Sequence, residues 1–283
     1  MGDHYIPQYY LRGFSDPSAP SKIWVYEKGS KRVFNPTIKA TANENKRWSR
    51  DVEKSLANKV EAPAKPVLDK IRNHEKVNQS DKELLSAYMV AMTQRVDKGL
   101  ERMKKIAPKV IDDVFTNVEK EIVDAIEKNP SRKVSLQNAL NGLPSLKSKY
   151  EREFPIEIWY NNISPDSLPK FRAVLPSMIW VFFTSDRGQP FLSCDNPVCF
   201  DEGTGINKPE SEITFPISSK VTLWATWNKS LVEYQYTPAK ENIIKEINRR
   251  VVHSATKYVY YSVEADWVVN LVNNRFLPLH HMI

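Results

Sequence analysis

The sequence predicts an α+β fold: a mixed sheet formed by an N-terminal hairpin and C-terminal strands, with a helical lobe inserted at about 51–150 of a single domain, 1–283. Three observations predict it. Two runs near the N-terminus alternate apolar and polar residues across a Gly-Ser turn. Apolar residues then recur at helical spacing from 51 to 128. After Tyr150 the chain turns to short aromatic and β-branched runs punctuated by Pro, Gly, Asn or Ser.

The first element is expected to be a strand, His4-Tyr5-Ile6-Pro7-Gln8-Tyr9-Tyr10-Leu11-Arg12. Alternation would put His4, Ile6, Gln8, Tyr10 and Arg12 on one face and Tyr5, Tyr9 and Leu11 on the other, with Pro7 at an edge or bulge. Lys22 to Lys28 and Arg32 to Pro36 form the hairpin, and a polar link follows from Thr41 to Arg50. Asp51 is expected to cap a helix running to about Asn73, bent or split by Pro63 and Pro66. Ser80 and Glu83 have capping-box spacing and open a helix that buries Leu84, Leu85, Tyr88, Met89, Met92 and Val96. Gln94 and Arg95 lie on that helix. Pro108 starts another helix, striped by Val110, Ile111, Val114, Phe115, Val118, Ile122 and Ile126. A short helix over Ser135–Tyr150 is interrupted by Gly142 and Pro144.

Strands are expected at Glu157–Tyr160, Trp180–Thr184, Phe191–Asp195, Glu212–Phe215, Val221–Ala225 and Tyr258–Tyr261. A helix opens at Thr237-Pro238 and ends near His253, and a last one covers Asp266–Asn274.

Composition narrows the class. Of 283 residues 41% are apolar and 27% charged, as in ordinary globular proteins. No run approaches the ~20 apolar residues that cross a bilayer. No basic region with an apolar core opens the chain and no lipidation signal closes it, so a cytoplasmic location without membrane attachment is expected. Cys194 and Cys199 read as small buried side chains, since no second pair completes a zinc site. Net charge is +7. Residues 1–150 hold 28 Lys and Arg against 19 Asp and Glu, whereas 151–283 hold 13 against 15. A basic half suits an anionic partner, nucleic acid or nucleotide, or else a solvated lysine-rich surface.

Four places match a known pattern: His4–Phe14; Gln94-Arg95; Ser193-Cys194-Asp195-Asn196-Pro197-Val198 with Phe215-Pro216-Ile217-Ser218; and Ile247-Asn248 with Tyr260-Tyr261-Ser262. On these residues the chain resembles the bacterial and archaeal domain-of-unknown-function family 4238 over nearly its whole length. The resemblance implies that these segments belong to one domain. It supplies no reaction, because the family is defined by sequence. Family members usually carry Ser where Cys194 stands, which argues against a catalytic thiol.

The candidate chemistry centres on His4 and Asp195. His4 is a general base, a metal ligand or a structural donor. Asp195, at an Asp-Asn-Pro corner, either caps its own backbone or orients His4. A third role open to Asp195 is holding a divalent cation, and the sequence leaves the cofactor otherwise undetermined. Gln8 and Asn196 are neutral donors for an oxyanion or phosphate. Arg12 and Arg95 are phosphate forks or salt-bridge partners. His280 and His281 read as a tail in preference to a metal site. Phosphate-loop, dinucleotide, His-Glu-x-x-His, Gly-x-Ser-x-Gly and HNH signatures are absent. Three function classes follow: a phosphodiester hydrolase acting on nucleic acid, of a toxin or anti-phage type, with a His4/Asp195 centre; a non-catalytic nucleotide or nucleic-acid binding module; and a structural or partner-binding protein whose N-terminal segment is a polar core network.

Overall fold

The structure, a computed structural model, describes residues 3–44, 47–163, 169–186 and 188–274. It divides into two units, 1–97 with 163–283, and 98–162. The inserted segment expected at 51–150 overlaps the second unit, while the helices before Asp97 belong to the first.

In chain order the first unit contains β1 (Asp3–His4), α1 (Gln8–Leu11) continued by a 3-10 turn Arg12–Phe14, β2 (Trp24–Glu27), β3 (Arg32–Phe34), β4 (Asn43–Glu44), α2 (Arg50–Leu56), a π turn Ala57–Glu61, α3 (Ala62–Arg72) and α4 (Gln79–Arg95). Helices α5 (Asp97–Lys128) and α6 (Lys133–Asn162) follow, and all but Asp97 of them forms the second unit. The first unit resumes with α7 (Pro169–Val174), β5 (Ile179–Thr184), β6 (Ser193–Cys194), β7 (Cys199–Phe200), β8 (Glu212–Pro216), β9 (Val221–Thr226), β10 (Tyr236–Pro238), α8 (Glu241–Ser254), β11 (Tyr258–Tyr261) and α9 (Asp266–Asn273). The class is α+β, as expected.

The N-terminal hairpin does join C-terminal strands, but in two sheets. One is the antiparallel order β3-β2-β11-β6. The other is β10-β5-β9-β8-β7, mixed because β10 runs parallel to β5. Strands β5 and β9 are buried almost throughout, so they read as continuous apolar runs. Val181 and Phe183 pack with Trp224 against Ile244 and Ile247 of α8. The opposite face of the sheet meets α4, where Tyr88 lies 6.4 Å from Phe215 and the Lys82 ammonium 5.5 Å from Trp180. Further along α8, Val251 and Val252 pack with Tyr26, Val259 and Tyr261 of the four-stranded sheet. One helix thus ties the two sheets together.

Helix α4 is buried on nearly every side, including Asp81, Lys82, Gln94 and Arg95. Such a helix shows no amphipathic stripe. Lys82 is tolerated there because its ammonium donates to the Met178 carbonyl at 2.6 Å and pairs with Glu233.

Several expected elements form differently, each for a local reason. The N-terminal strand is confined to Asp3–His4. Pro7 (φ −57°, ψ 136°) then starts a helical turn, and Tyr10, Leu11 and Phe14 bury at helical spacing. The next helix is capped by Ser49, whose Oγ accepts from the Val52 amide at 3.3 Å, and not by Asp51. A π turn takes up the frame shift ahead of Pro63 and Pro66. The capping box is Asn78 with Asp81, two residues before the expected pair. Helix α5 runs through Pro108, whose missing N–H costs one bond on an exposed stretch. Helix α6 likewise runs through Gly142 and Pro144 and includes 157–160, expected as a strand. A four-residue aromatic and β-branched run fits either element, and Pro155, the one residue that suggests a break before it, lies inside the helix. Thr237 and Pro238 end the edge strand β10, where a proline lacks no partner, and α8 begins at Glu241. His280 and His281 lie outside the described residues.

Candidate functional site

The N-terminal segment folds back beside the Asp-Asn-Pro corner, and tyrosines make the junction. The Tyr10 hydroxyl lies 2.8 Å from Ser193 Oγ and donates to the Pro216 carbonyl at 2.8 Å, while its ring stacks on Phe215. Burial pushes the Tyr10 phenol well above its ordinary pKa, so it serves as a donor and not as a base. The Tyr5 phenol faces that of Tyr260 beside Asp195, and burial raises both. The Arg47 guanidinium sits 4.9 Å from the centre of the Tyr5 ring.

Two arginines hold the segment from the helical side by its carbonyl groups. Arg72, at the end of α3, donates to the carbonyls of Tyr9 and Tyr10, both at 3.2 Å, and of Ile217 at 3.3 Å. Arg95, at the end of α4 and 1% exposed, pairs with Glu61 at 2.5 Å and donates to the His4 carbonyl. Its guanidinium lies 5.3 Å from the Trp48 ring centre. Arg95 is therefore a buried clamp with two of its nitrogens committed.

Gly13 is required by this packing. A Cβ there would lie 2.6 Å from the Ile217 carbonyl oxygen and 2.8 Å from Arg72 Nη2. Gly13→Ala is expected to cost about 2–3 kcal/mol by overpacking, read as a lower denaturation midpoint. An unchanged midpoint would mean that the turn carrying Ile217 yields freely.

The expected His4–Asp195 pair does not form. The His4 ring donates from Nε2 to the Lys39 carbonyl at 3.0 Å. Asp195 accepts three backbone amides instead: Thr256 at 2.8 Å, Lys257 at 2.7 Å and Tyr258 at 3.0 Å. Burial pushes its carboxyl up, and the three amides pull it back down. The carboxylate anchors the start of β11 to the corner. Asn196 works alongside it, donating to the Ser254 carbonyl at 3.3 Å and Oγ at 2.8 Å. Asn248 clamps the approach to β6, accepting from the Leu192 amide at 2.9 Å and donating to the Pro190 carbonyl at 3.0 Å. Cys194 and Cys199 are buried thiols that form no disulfide, and burial raises that of Cys194. No group of three or more His, Cys, Asp or Glu side chains suited to a metal ion occurs among the described residues.

Gln8 and Arg12 are treated differently by the fold. They lie one turn apart on α1 and its 3-10 continuation, with Gln8 half-buried and Arg12 exposed. Neither side chain makes a hydrogen bond or ion pair among the described residues. Beside them, the half-buried Tyr9 donates to Asp69, and the exposed Lys65 places its ammonium 4.9 Å from the Tyr9 ring centre. Burial and Asp69 together raise the Tyr9 phenol. Exposed Lys39 belongs to the 3-10 turn Ile38–Ala40, to which the His4 ring is bonded.

Sequence reasoning missed Arg72, Glu61 and Lys65. Arg72 carried no signal, because its partners are main-chain carbonyls, which any sequence supplies. Among the described residues no helix is long and apolar enough to cross a membrane. A family model described as "Protein of unknown function (DUF4238)" matches residues 3–265. No curated protein and no solved structure matches the chain.

Proposed function

Since the chain belongs to the family DUF4238, of unknown function, kinship supplies no activity, and we propose on physical grounds that it binds single-stranded nucleic acid through the surface of its N-terminal turn. One observation carries the reading. The fold uses the side chains of Tyr5, Tyr9 and Tyr10 internally, leaves Arg12 exposed and keeps Gln8 half-buried one turn before it. An uncommitted guanidinium matches phosphate oxygens in a bidentate fork. Gln8 can reach a base edge or sugar hydroxyl from the same turn, and Lys65 and Lys39 add exposed positive charge. The basic excess of residues 1–150 favours the same partner.

The buried half of the signature is scaffold, and only its exposed half is left for a ligand. Hydrolysis has less support than binding. A general base needs a group that orients it, and the Asp195 carboxylate is taken up by backbone amides.

Fluorescence anisotropy with a labelled single-stranded oligonucleotide tests this over a salt series. Arg12→Ala is expected to weaken binding about tenfold at low salt and to lower the slope of log K against log salt by about 0.7, the value for one phosphate contact on a single strand. His4→Ala should leave both quantities nearly unchanged. Binding that is absent at low salt, or indifferent to Arg12→Ala, would sink the proposal.

A further inference from the structure

Gln189 and Pro190 of the loop between β5 and β6, Ala239, Glu241 and Ile244 around the start of α8, and Trp267 of α9 line a cleft of about 450 Å³ in the first unit. That volume falls within the roughly 300–1,000 Å³ of small-molecule sites. Pro190, Ala239, Ile244 and the half-buried Trp267 give it apolar and aromatic walls, and the half-buried Gln189 and exposed Glu241 supply its polar groups. Among the described residues neither the Gln189 side chain nor the Trp267 indole N–H has a hydrogen-bond partner. Glu241 pairs with Lys245, one turn further along α8, at 2.5 Å. That hydrogen bond lowers the Glu241 pKa, so the group is a carboxylate at neutral pH.

The cleft lies close to the turn that carries Arg12. The Ser219 amide donates to the Gly13 carbonyl at 2.9 Å, and the Phe191 amide donates to the Ser219 carbonyl at 2.9 Å. Two hydrogen bonds and one residue therefore separate Gly13 from the end of the loop that holds Gln189 and Pro190, a span of roughly 10 Å. A phosphate on Arg12 and a base in the cleft can belong to one short strand.

We infer that this cleft takes one unstacked guanine base of a bound strand, with Trp267 as the stacking face and Glu241 and Gln189 on the base edge. The identity of the partner rests on the nucleic-acid reading above; the choice of base rests on the cleft. An indole face accepts any base, because every base has a π-face. The edge groups discriminate. A carboxylate only accepts hydrogen bonds, and it has two oxygens to do so. Guanine presents N1–H and N2–H2 side by side, a pair of donors that matches those two oxygens, and its neighbouring O6 accepts from the Gln189 amide nitrogen. Adenine and cytosine set an amino group beside a bare ring nitrogen, whose lone pair would face the carboxylate. Uracil sets one N–H between two carbonyls, which would face it in the same way.

Two measurements on the full chain test the inference. In the first, anisotropy compares an oligouridylate carrying one central guanosine with the same strand carrying adenosine there. The guanosine strand is expected to bind about tenfold tighter, the discrimination of one bidentate base contact. Glu241→Gln, at an exposed position, should abolish that preference while leaving the adenosine strand within about twofold of the parent, because a carboxamide offers one acceptor where guanine needs two. Trp267→Ala should weaken both strands about tenfold with an unchanged salt slope, since a stack and no phosphate contact is lost. In the second, guanosine alone is titrated while the indole N–H resonances are followed by NMR, with that of Trp267 assigned from its disappearance in Trp267→Phe. The Trp267 resonance should shift with guanosine and not with adenosine or uridine. A strand preference that survives Glu241→Gln, or a Trp267 resonance that guanosine does not move, overturns the inference. In either case an Arg12→Ala effect on the salt slope would leave the reading of the N-terminal turn standing. A guanosine-specific shift without any Arg12 effect would sink that reading and keep the cleft.

Discussion

Replacing Asp195 with alanine is expected to destabilise the protein by about 4 kcal/mol, the largest loss from any single side chain of the corner. The carboxylate accepts the amides of Thr256, Lys257 and Tyr258, all within 3.0 Å, and the residue is 6% exposed. Alanine would leave three donors without an acceptor at the start of β11. Each buried orphan donor costs about 1–3 kcal/mol. Strand β11 sits between β2 and β6, so loosening its first residue disturbs both pairings. Asp195→Asn separates charge from shape. Its remaining oxygen can serve some of the amides, but its NH2 group would face the others, and a loss of about 2 kcal/mol is expected. Urea unfolding followed by far-ultraviolet circular dichroism reads both values. If Asp195→Ala unfolds at the parent midpoint, the carboxylate is not a structural anchor and a chemical role for it returns.

The same residue shows how much was legible beforehand. That Asp195 sits in a sharp corner follows from Asp-Asn-Pro alone, and capping of backbone is a known habit of aspartate at such turns. Which backbone it caps was not legible, because the partners lie about sixty residues away, at Thr256–Tyr258. The N-terminal segment divides in the same way. Its polar and aromatic density marked it as important, and its approach to the 193–197 corner could be guessed. Its conformation was misjudged, since alternation suggests a strand while Pro7 and the buried spacing of Tyr10, Leu11 and Phe14 make a turn of helix. That change of period undoes the shared face expected for His4, Gln8, Tyr10 and Arg12. It buries Tyr10, leaves Gln8 half-buried and exposes Arg12 one turn later. The long helices were read too short because Pro108, Gly142 and Pro144 weigh heavily in a local reading, yet helices of 32 and 30 residues absorb the roughly 1 kcal/mol of a glycine and roughly 3 kcal/mol of a proline.

Arg95 gives the second large effect, and it separates scaffold from ligand site. Arg95→Ala is expected to cost about 3 kcal/mol. It strips the His4 carbonyl of its donor, leaves Glu61 without its partner and opens a cavity beside Trp48. Because the Glu61 side chain is 30% exposed, water takes over part of the lost pairing, which keeps the cost below that of a sealed ion pair. Arg95→Lys should recover less than half of it, since an ammonium cannot span both acceptors as the planar fork does. In a double-mutant cycle with Glu61→Gln, the coupling should be about 1 kcal/mol, leaving most of the cost in packing and the carbonyl contact. Oligonucleotide affinity, measured under conditions where the variant stays folded, should remain within about twofold of the parent, because the guanidinium does not face solvent. An Arg95→Ala protein with the parent's unfolding midpoint and lost affinity for nucleic acid would reverse this assignment and make Arg95, not Arg12, the phosphate fork.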